Sequence, residues 1–173
     1  MNEDAGKNVN LSVNRKYLLW LSISGFFLSL DQLTKLYVHL EFKLSESMAI
    51  IPNYFNLTYV RNYGAAFGVF GQAHPMFRDA FFLIIPPIAL IVIFFLLRKT
   101  AVTETKQIVA LSLVFGGALG NYIDRLKYRY VIDFIDFHYH DKLSWPAFNI
   151  ADACIVVGIC LLLFFLAREP KQT

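Results

Sequence analysis

The chain has 173 residues, 57% of them hydrophobic and only 17% charged, with a mean hydropathy of +0.49. That balance is too apolar for an ordinary soluble domain and points to a membrane protein of one compact domain. The net charge of +3 comes without a dense run of Lys and Arg interleaved with aromatics, which argues against nucleic acid as a partner.

The N-terminus, Met1 to Asn14, is polar and carries Glu3 and Asp4. The apolar stretch that follows predicts a first span over about 17–37, and no small-residue cleavage site succeeds it, so it reads as an anchor rather than a removed signal. Asp31 and Lys35 near its end are spaced i, i+4, share a helix face and can pair. A structural ion pair and a direct role in a site both remain open for them.

Asn53 to Arg61 alternates well enough for a short strand, and Asn62-Tyr63-Gly64 is a turn signal. The apolar Ala65 to Phe70 continues it, so a structured cradle over about 42–72 is expected to lie on the membrane. A second span follows over about 80–97, with Pro86-Pro87 inside it as a source of a kink. The third, over about 108–123, is interrupted at its end by Asn121 and Asp124. Its Gly116-Gly117-Ala118-Leu119-Gly120 run supplies small residues that let membrane helices approach closely.

Beyond it come Arg125, a fork for a carboxylate or a backbone carbonyl, and then Asp133 within Val131-Ile132-Asp133-Phe134. Loop tethering is the simplest role for Asp124. His138 and His140 lack a third partner, a weak zinc signal, so a solvated loop is expected there and no metal. The fourth span, about 148–167, begins with Phe148-Asn149-Ile150-Ala151-Asp152 and holds both cysteines, Cys154 and Cys160, as packing residues. No H-E-x-x-H, G-x-S-x-G or Gly-rich phosphate loop is present, so metallo, serine and nucleotide chemistries have little support.

Four spans put both termini on one side. The Lys and Arg residues are denser in the short flanks and the brief loop over 98–106, which favours that side as the cytoplasmic one. Connectivity then gathers Asp31, Lys35, Asn62, Asn121, Asp124, Arg125, Asp133, Asn149 and Asp152 at the outer face. Polar groups at that depth must find partners, and together they read as a site. Asp133 and Asp152, each expected at the end of an apolar segment, have no cation at helical spacing. Two carboxyls close together in such surroundings cannot both ionise, which is the state an aspartic protease needs. From spacing alone the pair can equally be unrelated, one acid in a loop and the other favoured by a helix dipole. A carboxylate-gated proton-coupled transporter and a non-enzymatic assembly subunit are the competing classes. The first is disfavoured because the acids gather at one end.

At these residues the chain resembles the bacterial lipoprotein signal peptidase (signal peptidase II) family. The resemblance rests on Asp31-Gln32-Leu33-Thr34-Lys35, the segment Arg61 to Gly68, the segment Gly116 to Arg125, Val131 to Phe134, and Phe148 to Asp152, in register along nearly the whole chain. It implies a single membrane-embedded peptidase domain over 1–173: an all-α integral membrane protein with four transmembrane helices and a small extracytoplasmic β-cradle. It further implies an aspartic endopeptidase of the bacterial inner membrane that needs no cofactor and acts as a monomer. Such an enzyme removes the signal peptide of diacylglyceryl-modified prolipoproteins before the lipidated cysteine, works in contact with membrane lipid, and is inhibited by globomycin. The catalytic pair would be Asp133 and Asp152. The supporting shell would be Asp31, Lys35, Asn62, Gly64, Asn121, Asp124, Arg125 and Asn149.

Overall fold

The computed structural model describes residues 2–65, 69–140 and 143–168, with side chains from residue 13 onward. Four helices stand where four spans are expected: α1 (Asn2–Glu41), α2 (Pro75–Lys99), α3 (Thr105–Tyr128) and α4 (Ile150–Arg168). By length and composition α2 and α4 can cross a membrane, with mean hydropathies of 3.0 and 2.7 over their most apolar windows. The other two are long enough, at 40 and 24 residues, but more polar. α3 is the central helix and packs against α1, α2 and α4. It tolerates its polar residues because the bundle, rather than lipid, surrounds them.

The ends of the helices follow local chemistry. Pro75 opens α2 at a position that needs no backbone donor. Lys16 of α1 donates to the carbonyls of Thr100 (2.6 Å) and Arg98 (3.3 Å), which satisfies carbonyls left over at the C-terminus of α2. α2 stays helical through Pro86 and Pro87. α3 stops at Arg129, whose φ of 66° forms a left-handed cap. The glycines of α3 act as close-approach positions. A Cβ on Gly117 would collide with the Ala151 carbonyl oxygen of α4, and one on Gly120 would lie 2.6 Å from Asp31 Oδ2 of α1.

The cradle is larger than the sequence suggests. Strands β1 (Ser47–Ile51), β2 (Phe55–Asn62), β3 (Val131–Tyr139) and β4 (Leu143–Ser144) form an antiparallel sheet in the order β1-β2-β3-β4. Half of its strands therefore come from the α3–α4 connection, outside the expected 42–72 range. His138 lies in strand β3 and not in a solvated loop, with His140 just beyond it. Asp133 stands on the same strand. The reason is pairing: Asn62, Arg61 and Val60 of β2 sit opposite Val131, Ile132 and Asp133. That match is a long-range one, which a local pattern does not reveal. Ile132 and Phe134 turn inward with Val38, Tyr59 and Tyr130 to form the core that joins the sheet to the end of α1. Each such fully buried side chain contributes about 1.5–3 kcal/mol relative to exposure. Period two then sends Val131 and Asp133 to the opposite face. The apolar stretch after Gly64 continues through Ala66 to Gly68, which lie outside the described residues.

Candidate functional site

The chain entering α4 is sewn to β3. Phe148 accepts from the backbone N–H groups of Phe134 (3.0 Å) and Ile135 (2.8 Å), and donates to the Ile135 carbonyl (3.0 Å). This places Asn149 beside Asp133. Asn149 then opens α4 with a reciprocal cap: its Oδ1 accepts from the Asp152 N–H (2.9 Å), and Asp152 Oδ2 accepts from the Asn149 N–H (3.2 Å). Asp152 therefore stands one turn inside α4, as the sequence indicates. It also has a structural task in starting the helix.

Asp133 is buried and accepts from two amides, Asn149 Nδ2 on Oδ1 (2.6 Å) and Asn62 Nδ2 on Oδ2 (3.0 Å). Burial pushes its carboxyl up to about 7, and the neighbouring charge of Asp152 adds to the rise. The hydrogen bonds from Asn62 and Asn149 and the charge of Lys35 oppose it. Lys35 is thus an electrostatic neighbour of the pair that helical spacing does not reveal, and the Arg125 guanidinium interacts with both carboxylates as well.

The remaining shell forms one hydrogen-bonded circuit. Lys35 Nζ bonds Asp31 (2.8 Å), Asp124 (3.0 Å) and Asn121 Oδ1 (2.9 Å), so all three of its donors are used. Asn121 Nδ2 donates onward to Asp152 Oδ1 at 2.7 Å. Asn62 Oδ1 accepts from the Gly64 N–H (2.9 Å), the Gly64 carbonyl accepts from Arg125 (3.0 Å), and Arg125 returns to the Asn121 carbonyl (3.4 Å). All ten residues singled out in the sequence meet here. Asp31 and Asp124 also fix backbone: Asp31 Oδ1 takes the Ala151 N–H at the start of α4 (2.9 Å), and Asp124 Oδ2 takes the Ile132 N–H (3.1 Å). Tethering is therefore part of the work of Asp124.

One member of the circuit is missing from the sequence reading. Gln32 donates to Asp124 (3.0 Å), the Gly120 carbonyl (3.1 Å) and Asp31 (3.3 Å). Its signal was an amide lodged between Asp31 and Lys35 in an otherwise apolar stretch. Farther along the α1–α3 contact, Ser24 and Ser112 bond backbone carbonyls and extend no chain of acids. Among the described residues, no group of three or more His, Cys, Asp or Glu side chains is arranged to hold a metal ion.

Asp133, Asp152, Asn62, Asn121 and Arg125 all line one cavity of about 1010 Å³. Its walls are otherwise largely apolar, with Phe81, Phe82 and Ile85 of α2, Ala118 of α3, and Ile155 and Val156 of α4. The two carboxyls thus face one largely apolar cavity whose walls restrict the access of bulk water.

The family described as signal peptidase (SPase) II matches residues 23–168. A protein of Syntrophus aciditrophicus (strain SB) named lipoprotein signal peptidase is 41% identical over 160 residues, covering 92% of this chain and 99% of that one. One of the same name from Pasteurella multocida (strain Pm70) is 42% identical over 157 residues, covering 89% and 92%. Among solved structures, a bacterial membrane enzyme determined by the in meso method at 2.3 Å resolution superposes with a TM-score of 0.78 at 34% identity, over 89% of this chain and 93% of that chain.

Proposed function

The chain belongs to the signal peptidase II family, and we propose that it is an intramembrane aspartic endopeptidase that cleaves diacylglyceryl-modified prolipoproteins before the lipidated cysteine. The observation that carries this reading is the pairing of Asp133 and Asp152 at one apolar cavity, with Asp133 raised to about 7. Asp133 can then carry, near neutral pH, the proton that an aspartic mechanism requires.

Asp152, supported by donors from Asn121 and the Asn149 backbone, is the general base. It takes a proton from water as the water oxygen bonds to the scissile carbonyl carbon. Asp133 gives its proton to the carbonyl oxygen. In the tetrahedral diol one hydroxyl returns a proton to Asp133, Asp152 protonates the departing nitrogen, the C–N bond breaks, and both acids regain their starting states. Arg125, held between the Gly64 and Asn121 carbonyls and against the Phe82 ring (4.6 Å), orients the Asn62–Gly64 edge along which the peptide lies.

The apolar lining of the cavity supports a lipidated substrate. The cavity's apolar walls run along α2 and α4, whose outer faces expose Ile84, Ile88, Ile91, Ile159 and Leu163. Acyl chains held in the bilayer can slide into it and bring the peptide beside them to the carboxyls. On this reading all four helices span the inner membrane as a single domain over 1–173. The termini are cytoplasmic and the sheet lies at the outer face. α1 fits a lipid-facing span through its exposed Leu18, Leu21, Phe26 and Leu33. Both carboxyls come from one chain, so a monomer suffices, and a globomycin-type inhibitor would occupy the same cavity.

The deciding experiment is cleavage of a diacylglyceryl-modified prolipoprotein peptide by wild type, Asp133→Asn and Asp152→Asn, each verified as folded. Cleavage before the lipidated cysteine by wild type alone is expected. A variant that cuts at a near-normal rate would demote its aspartate to the structural role already visible in the cap of α4 or in β3.

A further inference from the structure

A second cleft, of about 360 Å³, lies between α1 and α3 on a different face of α3 from the catalytic cavity. The catalytic cavity is lined from α3 by Ala118, Asn121 and Arg125. The second cleft uses Asp124, Lys127 and Tyr128, the neighbouring helical stripe. Its floor is the Lys35–Asp124 ion pair, saturated by the bonds described above.

The rim of the cleft is chemically incomplete. Lys127 is exposed and has no acid within ion-pairing distance among the described residues. Asp124, one turn earlier, is already engaged by Lys35, Gln32 and the Ile132 N–H. Ser29 is exposed too, and Gln32 spends its amide donors inward, which leaves its carbonyl oxygen to accept. Beside these polar groups stand Leu33 and Leu36 of α1, 64% and 47% exposed. Leu33 and Leu36 continue the apolar row that α1 presents through Phe26 and Leu40. An exposed cation, an acceptor and a hydroxyl among lipid-facing leucines call for a ligand that is anionic at one end and apolar at the other.

We propose that this cleft binds one anionic glycerophospholipid, with its phosphate on Lys127, a headgroup hydroxyl on the Gln32 carbonyl, and an acyl chain along Leu33 and Leu36. The membrane, not a soluble phosphate, is the source, because the apolar flanks add nothing to the binding of a small ion. The site rests on the four-span orientation proposed above, which sets the Gln32–Lys127 level at the lipid headgroups. Occupancy would cover the Lys35–Asp124 pair between α1 and α3.

The test is native mass spectrometry of the intact protein released from phosphatidylcholine bicelles doped with phosphatidylglycerol. Wild type and Lys127→Arg are expected to retain a phosphatidylglycerol molecule in preference to phosphatidylcholine. Loss of one cation should cut that retention about fivefold in Lys127→Gln. Arg129→Gln, which removes a nearby exposed cation outside the cleft, should keep it, and added inorganic phosphate should not displace the lipid. Wild-type retention by Lys127→Gln, an equal loss in Arg129→Gln, or displacement by phosphate would each overturn the proposal. Prolipoprotein cleavage in the same bicelles reports on the peptidase reading separately, and Lys127→Gln is expected to leave it unchanged.

Discussion

Asn62→Ala isolates the proton on which the proposed chemistry depends. In the wild type the Asn62 amide donates to Asp133 Oδ2 at 3.0 Å and so favours the ionised carboxylate, opposing the burial that raises Asp133 to about 7. A hydrogen bond to a charged group is worth about 1.5–3 kcal/mol, and this one is only partly buried, so the lower figure applies. Since 1.36 kcal/mol is one pKa unit, the loss should move the group up by about one unit. Activity needs one proton on the pair, and it falls as pH rises through the upper apparent pKa. The alkaline limb of kcat/KM should therefore stand near pH 7 in wild type and about one unit higher in Asn62→Ala. The assay is initial-rate cleavage of a lipidated fluorogenic peptide in detergent across the pH range, with folding verified at each end. A lower plateau is also expected, because Asn62 orders Gly64 and, through it, Arg125. An alkaline limb that stays in place, or moves down, while the rate falls would refute the assignment of the shared proton to Asp133.

Two further substitutions test the scaffold. Lys35→Met leaves Asp31 and Asp124, 0% and 1% exposed, without their cation, and should cost about 3–5 kcal/mol of stability by thermal unfolding in detergent. An unchanged midpoint would mean that the carboxylates are satisfied without it. Gly117→Ala drives a methyl into the Ala151 carbonyl at the start of α4, so a destabilisation of about 1–3 kcal/mol is expected together with a fall in kcat, because Asp152 is the next residue. Normal turnover at normal stability would show that α3 and α4 can separate without disturbing the pair.

The sequence by itself located the helices and the polar residues that gather between them. Apolar runs of bilayer length located the four helices, of which α2 and α4 are long and apolar enough to cross a membrane. The expense of polar groups at that depth singled out Asp31, Lys35, Asn121 and Asp124, which do form one buried cluster. What only the tertiary structure decided is how they are held. Asp133 sits on β3 because β2, about seventy residues earlier, supplies its pairing partner in Val60, and such a register leaves no local trace. Asn149 meets Asp133 because Phe148 pairs with Ile135. Gln32 joins Asp31 to Asp124 only because Gly120 lets α1 and α3 touch. The raised proton affinity of Asp133 is tertiary as well: it follows from burial and from a second carboxylate brought close by chain segments that hydropathy alone cannot orient.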